Sequence, residues 1–160
     1  MDLLNKNAIV TGSSRGIGKA ITEALLEEGI TVVGWNRTKP DFEHAHFHSV
    51  QVDIADADEV NRAFEETTRL VGNPIAILIN NAGIGYKGAT EEMEPSEWQR
   101  LFNVNVHGLF YVTRHVIPMM KQMKQGHIIN ISSGAGTTGI AGMVAYCGTK
   151  HAVHGISHAL

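Results

Sequence analysis

Two side chains four positions apart, Tyr146 and Lys150, can do proton chemistry that neither does alone. A four-residue step stacks them on one face of a helix. A phenol ordinarily titrates near ~10 and is a poor proton donor or acceptor at neutral pH. A cation held close favours the phenolate, and a tyrosine tuned in this way is a usable general acid/base. Ser133 lies upstream with a hydroxyl of its own. The glycine-rich run between Ser133 and Tyr146 lets the backbone fold back over a ligand. A bare Y-x-x-x-K match also describes a core tyrosine beside a solvated lysine, so what precedes it decides its meaning.

What precedes it begins with a glycine loop. Ala8–Val10 reads as a buried strand and Lys19–Glu28 as a helix with Gly29 as its stop. Between them runs Gly12-Ser13-Ser14-Arg15-Gly16-Ile17-Gly18, spaced G-x-x-x-G-x-G. Strand, glycine loop and helix form the setting in which a helix N-terminus receives a phosphate. Thr31–Trp35 is the second strand. A carboxylate at its end would take a ribose 2′-hydroxyl, but Asn36 and Arg37 stand there. With Arg15 as a second cation, a 2′-phosphate fits better. Solvated surface arginines are the alternative.

Further along, Val50–Asp53 reads as a third strand. Asp53 could accept the amino group of an adenine or cap the helix read over Asp56–Val71. Gly72-Asn73-Pro74 stops that helix. Ile75–Ile79 is a continuous apolar strand that ends in Asn80-Asn81-Ala82-Gly83, at the place where open α/β sheets bind ligands. Ser96 reads as the N-cap of a long helix to about Lys124, with Pro118 expected to kink or relax it and Gly126 to end it. Asn105 lies near its middle, poorly suited by propensity. Its amide could break the backbone ladder and hold a water, or bond a neighbouring loop. His127–Ile131 is the fifth strand, and Ala145–Leu160 the helix that carries Tyr146 and Lys150. Strands alternating with helices specify one doubly wound parallel α/β sheet over residues 1–160.

Composition removes several function classes. Net charge is −3, which gives no electrostatic case for nucleic acid or an anionic membrane. The single cysteine, Cys147, has no disulfide partner in the chain and no patterned base, and suits a reducing, cytoplasmic location. No basic segment followed by an apolar run opens the chain, so no signal peptide is expected. His44, His46 and His48 alternate along a short connection, and His151, His154 and His158 share a helix face. Both sets read as solvated or packed rather than metal-binding.

Taken together, Thr11-Gly12-x-x-x-Gly16-Ile17-Gly18, Asn80-Asn81-Ala82-Gly83, Asn105, Ser133 and Tyr146-x-x-x-Lys150 resemble, in order and spacing, the short-chain dehydrogenase/reductases. The resemblance implies a Rossmann-like sheet of strand order 3-2-1-4-5. It implies that Gly12, Ser14, Arg15, Gly16, Ile17, Gly18, Asn36, Arg37, Asp53, Ile54, Asn81, Ala82 and Gly83 line a nicotinamide cofactor, together with Tyr146 and Lys150. The arginines look like the family's NADP-preferring pattern, so NADP(H) is expected ahead of NAD(H). Tyr146 would exchange a proton with the reacting oxygen and Ser133 would hydrogen-bond it. Lys150 would tune the tyrosine and grip the nicotinamide ribose, and Asn105 would hold a relay water. The implied reaction is hydride transfer with a ketone or secondary alcohol, as in 3-oxoacyl-carrier-protein reduction. An NAD-linked dehydrogenase of small cyclic diols or sugars and a cofactor-binding remnant without turnover are the other readings.

The chain departs from the family in its short connection between the second and third strands and in its length. It stops at Leu160, before the last two strands and the substrate lid that family members carry. A fragment of a longer chain is therefore expected, with a homodimer or homotetramer expected of the complete protein.

Overall fold

Continuous apolar runs bounded by glycine and polar residues become the middle of one sheet. In the computed structural model, residues 6–72 and 74–160 are described. The five strands are β1 (Asn7–Thr11), β2 (Thr31–Asn36), β3 (Phe47–Gln51), β4 (Ile75–Asn80) and β5 (His127–Asn130). All pair in parallel, in the order β3-β2-β1-β4-β5 that the family resemblance implies. β1 and β4 are buried at every residue, as parallel strands covered on both faces must be.

The two faces can be read from alternate residues of β1. Ala8 and Val10 join Leu26 of α1 (Gly16–Glu27) in one core. Ile9 joins Val60 and Ala63 of α2 (Ala57–Val71) and Val112, Val116 and Met120 of α4 (Leu109–Met123) in the other. Each such side chain, fully buried, contributes about 1.5–3 kcal/mol relative to exposure. Helix α3 (Pro95–Phe102) leads into α4, and α5 (Val144–Ala159) packs on α3 and on the segment that joins α3 to α4.

Several boundaries differ from the sequence reading. β3 covers Phe47–Gln51 rather than Val50–Asp53, because its alternating residues pair with Val32–Asn36 while Val52 already lies beyond the ladder. Asp56, not Asp53, caps α2, accepting from the N–H groups of Asp58 and Glu59 at 2.9 Å each. Gly72 closes α2 in the left-handed region (φ 63°), and Asn73 of the expected stop lies outside the described residues. The long helix expected over Ser96–Lys124 is two helices with a π-helical turn, Asn103–Gly108, between them. It begins at Pro95, whose missing N–H is harmless at a first helical position, so Ser96 is not its cap. Its end falls at Lys124 (φ 50°), where Gln125 N–H bonds the Met120 carbonyl, two residues before Gly126.

Candidate active site

The winding of the sheet reverses between β1 and β4, and this is where ligand crevices form in open α/β sheets. Two polar side chains tie the ends of β1 and β4 together at the floor of the crevice. Thr11 is buried at the end of β1, and its Oγ1 accepts from the N–H groups of Asn81 and Ala82 at 3.0 Å each. Asn81 Nδ2 reaches back to donate to the carbonyls of Thr11 and Gly12, both at 3.0 Å. The Gly12 turn requires positive φ (68°). Gly18 admits no side chain, since a Cβ there would collide with the Gly12 carbonyl and the Asn81 amide.

A cleft of about 830 Å³ lies over this crossing. Every residue that the sequence assigns to the cofactor lines it, apart from Tyr146 and Lys150. The first turn of α1 has no acidic residue, and Arg15 at its N-cap makes no side-chain cap bond. Its leading N–H groups are thus left for an external anion. An opening of this size, with a cradle where a Cβ would clash, fits a dinucleotide.

The residues expected at the ribose divide in their roles. Arg15 and Arg37 are exposed at the cleft, and neither forms an ion pair among the described residues. Asn36 lines the cleft, yet its amide is committed to the glycine loop. Its Nδ2 donates to Ser13 Oγ at 2.8 Å and its Oδ1 accepts from Ser14 N–H at 2.9 Å. Asn36 therefore shapes the glycine loop through its side chain as well as lining the cleft. Asp53 Oδ1 accepts from Ala55 N–H at 2.9 Å, and Ile54 stands beside it. His44, His46 and His48 gather no metal site: the described residues contain no group of three possible ligands, and His46 N–H simply donates to His44 Nδ1 at 3.1 Å.

The second half of the site sits beyond Gly83. Tyr146 is half-buried in the first turn of α5, and the Lys150 Nζ lies 5.8 Å from its ring centre. Lys150 is buried and donates to the Ile131 carbonyl at 2.8 Å. Burial holds its ammonium below the ordinary lysine range, because an apolar surrounding disfavours the charge. Ser133 caps a short 3₁₀ turn, Gly134–Gly136, accepting from Ala135 N–H at 3.2 Å, so its own O–H remains to donate. That turn packs on α5, where Ser132 Oγ donates to the Lys150 carbonyl at 3.3 Å.

Asn105 belongs to the π-helical turn and is buried. Its Oδ1 accepts from Ile84 N–H and its Nδ2 donates to the Ile84 carbonyl, both at 2.8 Å. The second Nδ2 hydrogen goes to Thr149 Oγ1 at 3.0 Å. Of the two uses expected of this amide, bonding a neighbouring loop is what its side chain does, and both of its N–H donors are used up by protein. Sequence reasoning gave no role to Ser13 or Thr149, and named Thr11 only as the first residue of the glycine motif. A signal existed for two of them: a hydroxyl directly before the glycine loop, and one at the step between Tyr146 and Lys150.

The sequence model of a family described as short chain dehydrogenase matches residues 6–160. Relatives agree with it. A 3-oxoacyl-[acyl-carrier-protein] reductase FabG of Aquifex aeolicus is 37% identical over 168 residues, covering 99% of this chain and 67% of that protein. An uncharacterized oxidoreductase of Staphylococcus saprophyticus is 35% identical, covering 98% of this chain and 66% of that one. The ligand-free aldohexose dehydrogenase of Thermoplasma acidophilum superposes with a TM-score of 0.90 at 35% identity, over 99% of this chain and 61% of that chain. The chain thus spans about two-thirds of the length of the curated relatives it matches.

Proposed function

The chain belongs to the short-chain dehydrogenase family, and we propose that it serves hydride transfer between NADP(H) and a ketone or secondary alcohol, with Tyr146 as general acid/base. The observation that carries this reading is the position of Gly83. It lines the dinucleotide cleft, and a Cβ on it would lie 3.2 Å from Asn105 Oδ1 and 3.7 Å from Lys150 Nζ. The cofactor cleft and the proton-transfer residues therefore meet at one residue that has no side chain to separate them.

When bound, the cofactor supplies or accepts the hydride at its nicotinamide. Gly12, Gly16 and Gly18 with the N-terminus of α1 hold its pyrophosphate. Arg15 and Arg37 meet the 2′-phosphate, which supports NADP(H) over NAD(H). In reduction, Tyr146 Oη gives its proton to the carbonyl oxygen, and in oxidation it takes the alcohol proton back. The Ser133 O–H donates to the same oxygen and stabilises the charge that develops there. Lys150 favours the tyrosinate by its charge and reaches the nicotinamide ribose. Asn105 keeps the Ile84 loop in place beside them.

Relatives that reduce 3-oxoacyl groups on a carrier protein support that substrate class as the first choice. A sugar or cyclic diol with NAD is the second reading, favoured by the aldohexose dehydrogenase likeness and by the helix-free connection between β2 and β3. Trp98, Phe110 and Val144 expose apolar surface on α3, α4 and α5, which supports a homodimer or homotetramer of the complete protein. We place that protein in the cytoplasm. The test is cofactor oxidation, with NADPH and NADH in parallel, against a panel of 3-oxoacyl thioesters, ketones and aldoses, with Tyr146→Phe as control. Turnover that falls by about 10²-fold or more in the variant supports the reading. NADPH binding without turnover on any substrate would turn the reading to a cofactor-binding remnant.

A further inference from the structure

Thr149 is fully buried, and its hydroxyl stands where three segments meet. It donates to the Tyr146 carbonyl at 2.8 Å, one turn back on α5. It accepts from Asn105 Nδ2 at 3.0 Å, across from the π-helical turn. Asn105 in turn clasps both the N–H and the carbonyl of Ile84 at 2.8 Å. A threonine that bonds a carbonyl of its own helix is commonplace. A threonine that also receives the last free N–H of a buried amide on another element is not a local affair. The direction of every bond is fixed: the Asn105 amide has two hydrogens, the hydroxyl has one, and each has a single destination.

We infer that Thr149 is a positioning residue, whose hydroxyl fastens the Asn105 amide, and through it the Ile84 loop, to the backbone turn that carries Tyr146 and Lys150. The loop begins directly after Gly83, the residue shared by the cofactor cleft and the catalytic side chains. Thr149 touches neither ligand nor reacting atoms. It sets the separation between the wall of the cleft and the proton donor. Without the hydroxyl, one Asn105 N–H stays buried and unpaired, and the clasp on Ile84 loses its tie to α5.

The experiment uses Thr149→Val, which keeps the shape and removes the hydroxyl, and Thr149→Ser, which keeps the hydroxyl and removes the methyl. Thr149→Ala makes the same deletion should the valine variant not fold. Misplacement on the ångström scale lowers kcat by about 10–100-fold. Thr149→Val is therefore expected to lose kcat to that extent with KM within about threefold of wild type, and Thr149→Ser to regain it. The kinetic arm rests on the hydride-transfer reading. Amide hydrogen exchange at Ile84 does not, and it is expected to quicken at least about tenfold in Thr149→Val, as a protecting contact is lost. If the wild type turns over nothing, the hydride-transfer reading fails while the exchange still decides this one. Unchanged kcat and unchanged Ile84 exchange in Thr149→Val overturn the inference, as does a Thr149→Ser variant as slow as valine.

Discussion

Burial acts on Lys150 against its charge, and the consequence is readable in pH. Its folded-state affinity for a proton is lowered by desolvation, so the unfolded chain holds that proton more tightly. The penalty is fully present below the folded value and is relieved as pH rises toward the ordinary lysine value of ~10.4. Wild-type stability relative to Lys150→Met should therefore climb between neutral pH and about 10, followed by urea midpoints across that range. A flat difference would mean that the ammonium is solvated. At this scale the sequence singled out Tyr146, Lys150, Ser133 and the glycines, because the proposed chemistry demands those residue types at those steps. It did not show that the Asn36 amide bonds Ser13 and Ser14, since that contact spans more than twenty residues. The roles of Thr11 and Thr149 need the fold, because their positions beside the motifs do not say which distant groups their hydroxyls meet.

Helices α2 and α4 meet through a ring stack, Phe64 on His115 at 4.8 Å, beside a bond between His115 Nε2 and Asn61 Oδ1 at 2.9 Å. Desolvation, then the nearby Arg114 charge, holds His115 below its ordinary value of 6.5. The imidazole is thus favoured neutral in the fold, and the unfolded chain takes the proton first as pH falls. Stability contributed by this contact is present above the ordinary value and is lost as pH drops through it toward the lowered one. His115→Gln should lose less stability than wild type below pH about 6.5, measured by thermal melts at a series of pH values. Equal losses would sink the assignment. Element boundaries show where sequence patterns stop being informative. In the stretch 96–124 the one mark of the π-helical turn Asn103–Gly108 is Asn105, whose amide could break the ladder, and it does not show the type or extent of the break. That turn is set by tertiary bonds from Asn105 to Ile84 and Thr149. β3 was misplaced because Val50 and Val52 are both buried, while only the first lies in the ladder.

For the whole molecule, the alternation of strands and helices was legible because the central parallel strands are apolar runs covered on both faces, and every crossover except the helix-free one from β2 to β3 carries a helix. The substrate was not legible, since the chain spans about two-thirds of its curated relatives and its motifs speak to cofactor and proton. No helix among the described residues is long and apolar enough to cross a membrane. The described sheet ends at β5, where Ile129 is 49% exposed. A cofactor that binds only the folded form should stabilise it by about 2.7 kcal/mol at a hundredfold excess over its Kd. That corresponds to a rise in Tm of roughly 5–10 °C with NADPH. No shift with either nicotinamide cofactor would contradict the cleft assignment. The strand order also constrains how the protein is made on the ribosome. β1 is synthesised before both of its neighbours and ends up between them, with Asn7 opposite both Thr31 and Ile75. One of its edges can zip up once β2 has emerged, but the other waits, bare beside the apolar Ala8, Ile9 and Val10, until β4 follows, and in that interval it is open to wrong partners.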